Sequence, residues 1–360
     1  MVTDADVMRR ALFHAARAAG VTTPNPMVGA VVVSAGGVIV GQGRHPRAGA
    51  PHAEVFALDQ AGPLARGGTL YVTLEPCCHY GRTAPCTTRV IASGIARAVV
   101  AMTDPNPLVN GKGIAELRAA GIEVDVGVLE EEARRLNRAF VTVQTLGRPE
   151  VIVKAASSAD GFIAARPGER TPITAAEANR RVQRVRAVVD AIAVGSGTVL
   201  ADDPLLTVRD SARVRPLVRA VFDRRLRTPP AARLLSTLPD GPVIILTSNR
   251  AMTHAADRVS ALRAAGATVV PSGDDIAGAL RALLAFDVSA LLVEGGSVIH
   301  RTLFDGGLVD TVHLIVSPQR LGGGVPLFGN GIVGVPEGDL RTVTQLGPDC
   351  WMEFDVHRNH

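Results

Sequence analysis

The sequence predicts two consecutive α/β domains. Strand patterns and helix patterns alternate in both halves of the chain, and such alternation is typical of α/β folds. A length of 360 residues suits two domains of ordinary size. The helical pattern of the first half ends at Gly147-Arg148-Pro149, where glycine and proline stop a helix. We therefore place the first domain at residues 1–147 and the second at residues 148–360.

The first domain is expected to contain alternating strands and helices. Apolar runs bounded by turns predict the strands, and Gly20, Gly94 and Gly121 each follow a helical pattern that they end. The predicted strands are Val28–Val33, Val38–Gly43, Thr69–Leu74, Ala98–Met102 and Val124–Val128. The predicted helices are Thr3–Ala19, His52–Ala61, Cys86–Ser93, Gly113–Ala120 and Leu129–Leu146.

The second domain repeats this alternation and closes with antiparallel strands. Thr174-Ala175-Ala176-Glu177 matches a capping box and predicts a helix that runs to about Val188. The predicted strands are Val151–Ala155, Ala191–Gly195, Leu217–Asp223, Val243–Thr247, Thr268–Val270, Ala290–Val293, Thr311–Ser317 and Val343–Val356. The remaining predicted helices are Ala251–Ala265, Asp274–Phe286 and one that opens at Ser297.

Composition narrows the class of partner. A net charge of +4, from 38 basic and 34 acidic side chains, is too weak to indicate a nucleic acid or a membrane surface. Aromatic residues make up only 3%, so there are few side chains on which bases could stack. Residues 1–10 lack the apolar core of a signal peptide, and prolines interrupt the uncharged stretch at 18–43. We expect a cytoplasmic protein, and its composition supports neither a nucleic-acid partner nor a membrane partner.

One cluster of residue types predicts a zinc site. His52 opens a predicted helix, Cys77 ends a strand after Pro76, and Cys86 follows with eight residues between the two cysteines. One imidazole and two thiolates leave the fourth zinc position open, which is typical of a catalytic site. Glu54 lies two residues beyond His52, where it can reach a metal-activated water without binding the metal. This arrangement is the signature of zinc deaminases, with Glu54 as the proton carrier.

Other interpretations of the cysteines stay open on the residues alone. The usual deaminase spacing would place Tyr80 at the second thiolate position, so Cys86 takes that role here, and Cys78 is a competing ligand. A structural zinc clip would need a fourth ligand. A nucleic-acid-editing deaminase is disfavoured by the weak charge and the few aromatic residues.

These motifs resemble the bifunctional deaminase/reductase family of riboflavin biosynthesis. The resemblance rests on HAE (52–54), TLEPCCHYGRTAPC (73–86), TPNPMVG (23–29) and DPNP (104–107). It implies a cytidine-deaminase-like three-layer domain that binds one zinc ion and deaminates diamino-ribosylaminopyrimidinone 5'-phosphate to 5-amino-6-(5-phosphoribosylamino)uracil. It further implies that the pyrimidine pocket is lined by Asn25, His45, His79, Arg82, Thr83, Asp104 and Asn106.

The second half shows only a weak cofactor signal by itself. Glu294-Gly295-Gly296-Ser297 ends a strand and opens a helix, which suits a phosphate but equally suits a plain glycine turn. Together with SADG (158–161) and GSGTVLADDPLLTVR (195–209), it resembles the reductase domain of the same family. That resemblance implies a dihydrofolate-reductase-like α/β fold that uses NADPH to reduce the ribosyl group to ribityl.

The resemblance also implies the reductase contacts. The expected NADPH contacts are Ala156, Thr198, Asp202, Gly296, Ser297, Val298 and Ile299. The expected substrate contacts are Arg170, Arg186, Leu206, Arg209 and Glu294. Guanidinium groups such as those of Arg186 and Arg209 suit a sugar phosphate. Ala159, Arg170 and Pro172 depart from the usual family residues, which affects contact details rather than the reaction.

The sequence therefore predicts one chain with two activities in riboflavin biosynthesis. Its partners are expected to be a pyrimidine ribosyl phosphate and further copies of the same chain in a homo-oligomer. An alternative is a deaminase whose second half is degenerate and only binds a ligand or supports assembly.

Overall fold

The computed structural model describes residues 2–80, 84–169, 171–327 and 338–356. The chain divides into two compact units, Met1–Gly147 and Arg148–His360. None of the described helices is long and apolar enough to cross a bilayer.

The first unit is built on one five-stranded sheet. Its strands, in chain order, are β1 Gly29–Val33, β2 Ile39–Arg44, β3 Thr69–Val72, β4 Arg97–Val100 and β5 Glu123–Val126. Its helices are α1 Asp4–Ala16, α2 Ala53–Ala61, α3 Cys86–Ala92, α4 Lys112–Ala119, α5 Glu130–Leu136 and α6 Arg138–Leu146. The strand order is β2-β1-β3-β4-β5, in which β1 is antiparallel to both neighbours and β3, β4 and β5 are parallel.

Glycines let helices approach both faces of this sheet. A Cβ on Gly29 of β1 would collide with the carbonyl oxygen of Ala11 in α1, and one on Gly41 of β2 would collide with that of Ala57 in α2. Gly41 is the cross-strand partner of Val32, whose side chain points to the face opposite Gly29. Helices α1 and α2 therefore cover opposite faces, which gives a three-layer unit.

The second unit is built on a nine-stranded sheet and a small two-stranded one. Its strands are β6 Glu150–Ser157, β7 Phe162–Ala164, β8 Ala191–Gly195, β9 Val218–Phe222, β10 Val243–Thr247, β11 Thr268–Pro271, β12 Ala290–Val293, β13 Thr311–Val316, β14 Val325–Pro326, β15 Asp339–Leu346 and β16 Asp349–Asp355. Its α-helices are α7 Ala176–Val188, α8 Ser196–Asp202, α9 Asn249–His254, α10 Ala256–Ala264, α11 Ile276–Ala282 and α12 Ser297–Asp305. The described part of this unit also contains the 3-10 helices Arg233–Asp240 and Leu283–Phe286.

The large sheet of this unit places the carboxyl ends of the neighbouring parallel strands β8, β12 and β6 side by side. The strand order is β11-β10-β9-β8-β12-β6-β13-β16-β15, parallel from β11 to β13 and antiparallel beyond. Val151 and Val153 join one apolar cluster and Ile152 joins another, so side chains on both faces of β6 are buried. Ligand sites in such sheets lie beyond the carboxyl ends of the strands. The α/β class predicted for both halves is confirmed.

Several predicted boundaries were wrong for identifiable reasons. The predicted helix Leu129–Leu146 is broken at Asn137, whose buried amide accepts from the backbone N–H of Met27 at 2.7 Å and donates to its carbonyl at 2.9 Å. The predicted capping box is absent because helix α7 begins one residue later, with Ala175 as its N-cap. The predicted strand Val343–Val356 is a hairpin, β15 and β16, which reverses at Gly347 with φ 62°.

Two further helices predicted in the second half are divided. The segment Ala251–Ala265 forms α9 and α10, separated at Ala255, which has φ −126° and ψ 44°. The segment Asp274–Phe286 begins as helix α11 and tightens into the 3-10 turn Leu283–Phe286.

Candidate active sites

The three predicted zinc ligands meet where two helices begin. His52 is the N-cap residue of α2, Cys86 is the first residue of α3, and Cys77 lies just beyond β3. The Nδ1 atom of His52 lies 3.2 Å from Sγ of Cys86 and 3.5 Å from Sγ of Cys77. All three ligand atoms lie within 4.8 Å of one another.

This donor set fits zinc. One imidazole nitrogen and two sulfurs converge on a point that they can all reach, and no fourth His, Cys, Asp or Glu ligand joins the cluster in the described part of the chain. Hydrogen bonds from Cys86 and His52 lower the pKa of the Cys77 thiol, while the same contact with Cys77 and burial raise the pKa of Cys86. A thiolate at this position is the form that binds a metal.

Glu54 lies beside the cluster without joining it. It stands in the first turn of α2 and is only 3% exposed. Its Oε2 has no hydrogen-bond partner among the described residues, which is costly for a buried carboxylate unless a ligand supplies one. Burial raises the pKa of Glu54, although nearby His52 opposes the rise. The carboxylate therefore lies buried beside the predicted metal ligands, with a pKa above its ordinary value.

A pocket of about 440 Å³ opens in front of the zinc ligands. It is lined by Glu54 and by five of the predicted pyrimidine contacts, namely Asn25, His45, His79, Asp104 and Asn106. The other two predicted contacts, Arg82 and Thr83, lie outside the described residues. The structure thus gathers side chains from separate loops around one cavity of a size typical of small-molecule sites.

Hydrogen bonds fix the orientation of His45. Its Nδ1 lies 3.1 Å from the carbonyl oxygen of Pro51, which can only accept, so Nδ1 carries the hydrogen. Nε2 is then an acceptor, 3.0 Å from Nδ2 of Asn25. Burial lowers the pKa of His45, which keeps the ring neutral. Asn25 is therefore held in place by a neutral imidazole.

Sequence reasoning missed other residues of this pocket. Glu75, Phe140 and Gln144 also line it. Glu75 is buried, and its carboxylate accepts hydrogen bonds from the backbone N–H groups of Asp104, Gly111 and Ile114. The available signal was an acidic residue at a strand end immediately before Pro76 and Cys77.

The second unit has a cleft of about 620 Å³ at the carboxyl ends of β6, β8 and β12. The cleft is lined by every predicted NADPH contact and by one predicted substrate contact. These residues are Ala156, Thr198, Asp202, Gly296, Ser297, Val298, Ile299 and Glu294. Because β8, β12 and β6 are neighbours, residues far apart in the sequence face one cavity.

The glycine turn before α12 forms a close-fitting cradle. A Cβ on Gly295 would collide with the side chain of Ile299 and would come within 3.1 Å of the backbone nitrogen of Gly195. The N–H of Gly296 donates to Oγ1 of Thr198 at 3.2 Å, which ties the turn to α8. The turn opens a helix of nine residues, whose N-terminus favours an anion. These residues fit the phosphates of a dinucleotide.

Arg186 is engaged with a carboxylate in the structure. Its Nε and Nη2 each donate to Glu294 at 2.7 Å, and its Nη1 donates to the carbonyl oxygen of Thr207 at 2.9 Å. Burial alone would raise the pKa of Glu294, but the adjacent Arg186 guanidinium holds it below its ordinary value. The phosphate contact expected of Arg186 stays a prediction, and its visible partner is Glu294.

Two of the remaining predicted substrate residues, Leu206 and Arg209, do not line the cleft. Leu206 is buried and has φ 55°, a conformation rare for leucine, and Arg209 is exposed. Arg170 lies outside the described residues. Lys154 and His300, to which sequence reasoning gave no role, do line the cleft beside Glu294. Burial lowers the pKa of Lys154.

In comparisons with known proteins, both units match the same set of relatives. Residues 1–102 match the family model "cytidine and deoxycytidylate deaminase zinc-binding region", and residues 149–352 match the model "RibD C-terminal domain". The chain is 42% identical over 355 residues to riboflavin biosynthesis protein RibD of Aquifex aeolicus, covering 98% of each chain. It is 37% identical over 367 residues to RibD of Escherichia coli, covering 96% of this chain and 98% of that one.

The fold is also similar to solved structures over nearly the whole chain. RibD of Acinetobacter baumannii aligns with a TM-score of 0.87 at 36% identity, covering 99% of each chain. A diaminohydroxyphosphoribosylaminopyrimidine deaminase/5-amino-6-(5-phosphoribosylamino)uracil reductase of Thermotoga maritima aligns with a TM-score of 0.86 at 35% identity, covering 98% of this chain and 99% of that one.

Proposed function

This chain belongs to the RibD family of riboflavin biosynthesis proteins, and from that premise we propose which of its residues carry the two reactions. It is a bifunctional enzyme, with a zinc-dependent deaminase in the first unit and an NADPH-dependent reductase in the second. The alternative of a degenerate second half is not favoured, because residues 149–352 match the reductase family. The substrates we assign are those in the name of the Thermotoga maritima relative, a diamino-ribosylaminopyrimidinone phosphate and the phosphoribosylamino-uracil formed from it.

The observation that carries the deaminase assignment is the buried oxygen of Glu54, which has no partner in the described part of the chain and lies beside the zinc ligands. His52, Cys77 and Cys86 would hold the zinc ion, which when bound lowers the pKa of water and so supplies a nucleophile at neutral pH. Glu54 accepts the proton of the attacking water and delivers it to the departing amino group, which leaves as ammonia. Burial of Glu54 supports both steps, since a raised pKa suits a group that must take and return a proton.

The pyrimidine is held by groups that offer both donors and acceptors. Neutral His45 fixes Asn25 on one wall, while Asp104 and Asn106 present a carboxylate and an amide on another. Pyrimidine edges carry both amino and carbonyl groups, so paired donors and acceptors orient the ring. His79, Arg82 and Thr83 complete the set that we assign to the substrate.

In the reductase we assign the cofactor to the cleft of the second unit. NADPH, when bound, supplies the hydride that reduces the open form of the ribosyl group. The turn from Gly296 to Ile299 holds the phosphates, with Ala156, Thr198 and Asp202 on the adjoining wall. Glu294 contacts the substrate and is kept ionised and oriented by Arg186. Leu206, Arg209 and Arg170 complete the proposed substrate set.

Two substitutions should separately weaken the binding of NADPH and the binding of the phosphorylated substrate. Asp202→Ala should mainly raise the Kd for NADPH, and Arg209→Ala should mainly raise the KM for the phosphorylated substrate. The Arg209 effect should be about 1.5–3 kcal/mol, the range for a hydrogen bond to a charged group. Titration of NADPH and steady-state kinetics with the uracil intermediate measure both quantities. If Asp202→Ala instead raised the KM for the substrate and Arg209→Ala raised the Kd for NADPH, the two residue assignments would be reversed.

We also propose that the enzyme works in the cytoplasm as a homo-oligomer on small-molecule substrates. A site with two thiolate ligands is best maintained in a reducing compartment, and all four cysteines are free. Strand β15 is a sheet edge with Leu340 and Val343 more than half exposed, a feature that favours pairing with another chain.

A further inference from the structure

We propose that Glu75 is a positioning residue of the deaminase, whose carboxylate fixes the loop that carries Asp104 and Asn106 into the pyrimidine pocket. This inference rests on the proposed function of that pocket. Glu75 follows β3, two residues before the zinc ligand Cys77, and is only 3% exposed. It therefore lies between the metal ligands and the substrate-binding loop.

The carboxylate binds three backbone N–H groups of the neighbouring segment. Oε2 accepts from Asp104 at 3.1 Å and from Gly111 at 2.9 Å, and Oε1 accepts from Ile114 at 3.1 Å. Hydrogen bonds to a charged acceptor are about twice as strong as neutral ones. The two ends of the loop, at 104 and at 111–114, are thus attached to one side chain.

Hydrogen bonds within the loop determine its conformation but do not attach it to the neighbouring strand. Oδ1 of Asp104 accepts from the N–H of Asn106 at 2.8 Å, and Oδ1 of Asn106 accepts from the N–H of Leu108 at 3.0 Å. These bonds leave Oδ2 of Asp104 and Nδ2 of Asn106 for a ligand. Among the side-chain contacts described here, those of Glu75 connect this preshaped loop to the strand that leads into the zinc site.

Backbone packing brings the same two segments together. A Cβ on Gly113 would collide with the carbonyl oxygen of Pro76 and would lie 3.2 Å from Oε1 of Glu75. The beginning of α4 therefore rests directly on the Glu75 side chain and on the carbonyl group that joins Pro76 to Cys77. A change at Gly113 would push the loop off the strand without altering any charge.

Glutamate is required because all three partners are donors. An amide of the same size has one oxygen and one NH₂ group, so in either orientation at least one backbone N–H would face another donor. Glu75→Gln therefore keeps the volume of the side chain while it removes part of the attachment. The matched control is Glu116→Gln, since among the described residues Glu116 accepts from the Thr87 hydroxyl, 3.0 Å away, and an amide oxygen can replace the carboxylate oxygen there.

The experiment compares the full-length variants Glu75→Gln and Glu116→Gln. For Glu75→Gln we expect about one zinc per chain, a deaminase KM raised about tenfold or more, and kcat within about threefold, because buried donors lose their acceptor. Hydrogen exchange should accelerate in residues 103–115. Glu116→Gln should match the parent, and NADPH oxidation with the uracil intermediate should be unchanged in both.

Asn25→Ala separates this inference from the pocket assignment on which it rests. If Asn25→Ala raises KM while Glu75→Gln leaves both KM and exchange unchanged, the positioning role is overturned. If Asn25→Ala leaves KM unchanged, the pocket assignment itself fails. If Glu75→Gln lost its zinc and its kcat fell while KM stayed constant, Glu75 would have a merely structural role. Should Glu75→Gln not fold, Gly113→Ala must give the same rise in KM or the proposal falls.

Discussion

Glu54→Gln should abolish deamination while leaving the zinc site intact. The amide has nearly the same shape as the carboxylate but cannot carry the proton from water to the leaving amino group. We expect kcat to fall by at least about 100-fold, the lower range for a general acid–base group. Zinc content should stay near one per chain, because Glu54 lies beside the metal ligands rather than among them.

Ammonia release and zinc analysis on the same sample measure this effect. NADPH oxidation with the uracil intermediate is the internal control, since it depends on the second unit. Deamination at the parental rate by a zinc-loaded Glu54→Gln chain would refute the proton-carrier role.

The second large effect concerns the metal ligands. Cys86→Ser should lose zinc and deaminase activity together, because a neutral hydroxyl is a poor substitute for a thiolate ligand. Cys78→Ser is the matched control, because Cys78 is adjacent to Cys77 in the sequence but outside the ligand cluster.

Metal analysis by mass spectrometry distinguishes the two serine variants. Zinc retained in Cys86→Ser and lost in Cys78→Ser would show that the wrong cysteine was assigned. Equal loss in both would indicate that all three cysteines contribute to metal binding.

The zinc site could be predicted because its chemistry dictates residue types. A catalytic zinc needs specific side chains on strand and helix ends, and His52, Cys77 and Cys86 supply them at recognisable spacings. The α/β class was predictable for a similar reason, since buried strands and amphipathic helices leave apolar periods in the sequence. Both predictions depend on side chains whose identity alone carries the signal.

The role of Glu75 could not be predicted in this way. Its partners are backbone N–H groups at 104, 111 and 114, and every residue except proline has such a group. The break at Asn137 is similar, because the amide binds the backbone of Met27, 110 residues earlier. Contacts with the backbone over long sequence distances leave no residue pattern to read.

Arg186 shows a further limit of sequence reasoning. A guanidinium suits a phosphate and a carboxylate equally well, and this chain has arginine at nearly all its basic positions. Only the fold shows that helix α7 brings Arg186 against Glu294 after β12. The partner of an arginine is therefore decided by tertiary structure rather than by local sequence.

The most direct test of the account is NADPH oxidation by the full-length chain before and after removal of zinc. We predict that the zinc-free chain oxidises NADPH with the deaminated uracil intermediate as fast as the zinc-loaded chain does. With the diamino-pyrimidinone substrate, only the zinc-loaded chain should oxidise NADPH, because deamination must come first. Equal NADPH oxidation by the zinc-free chain with the diamino substrate would contradict the proposed order and the separation of the two sites.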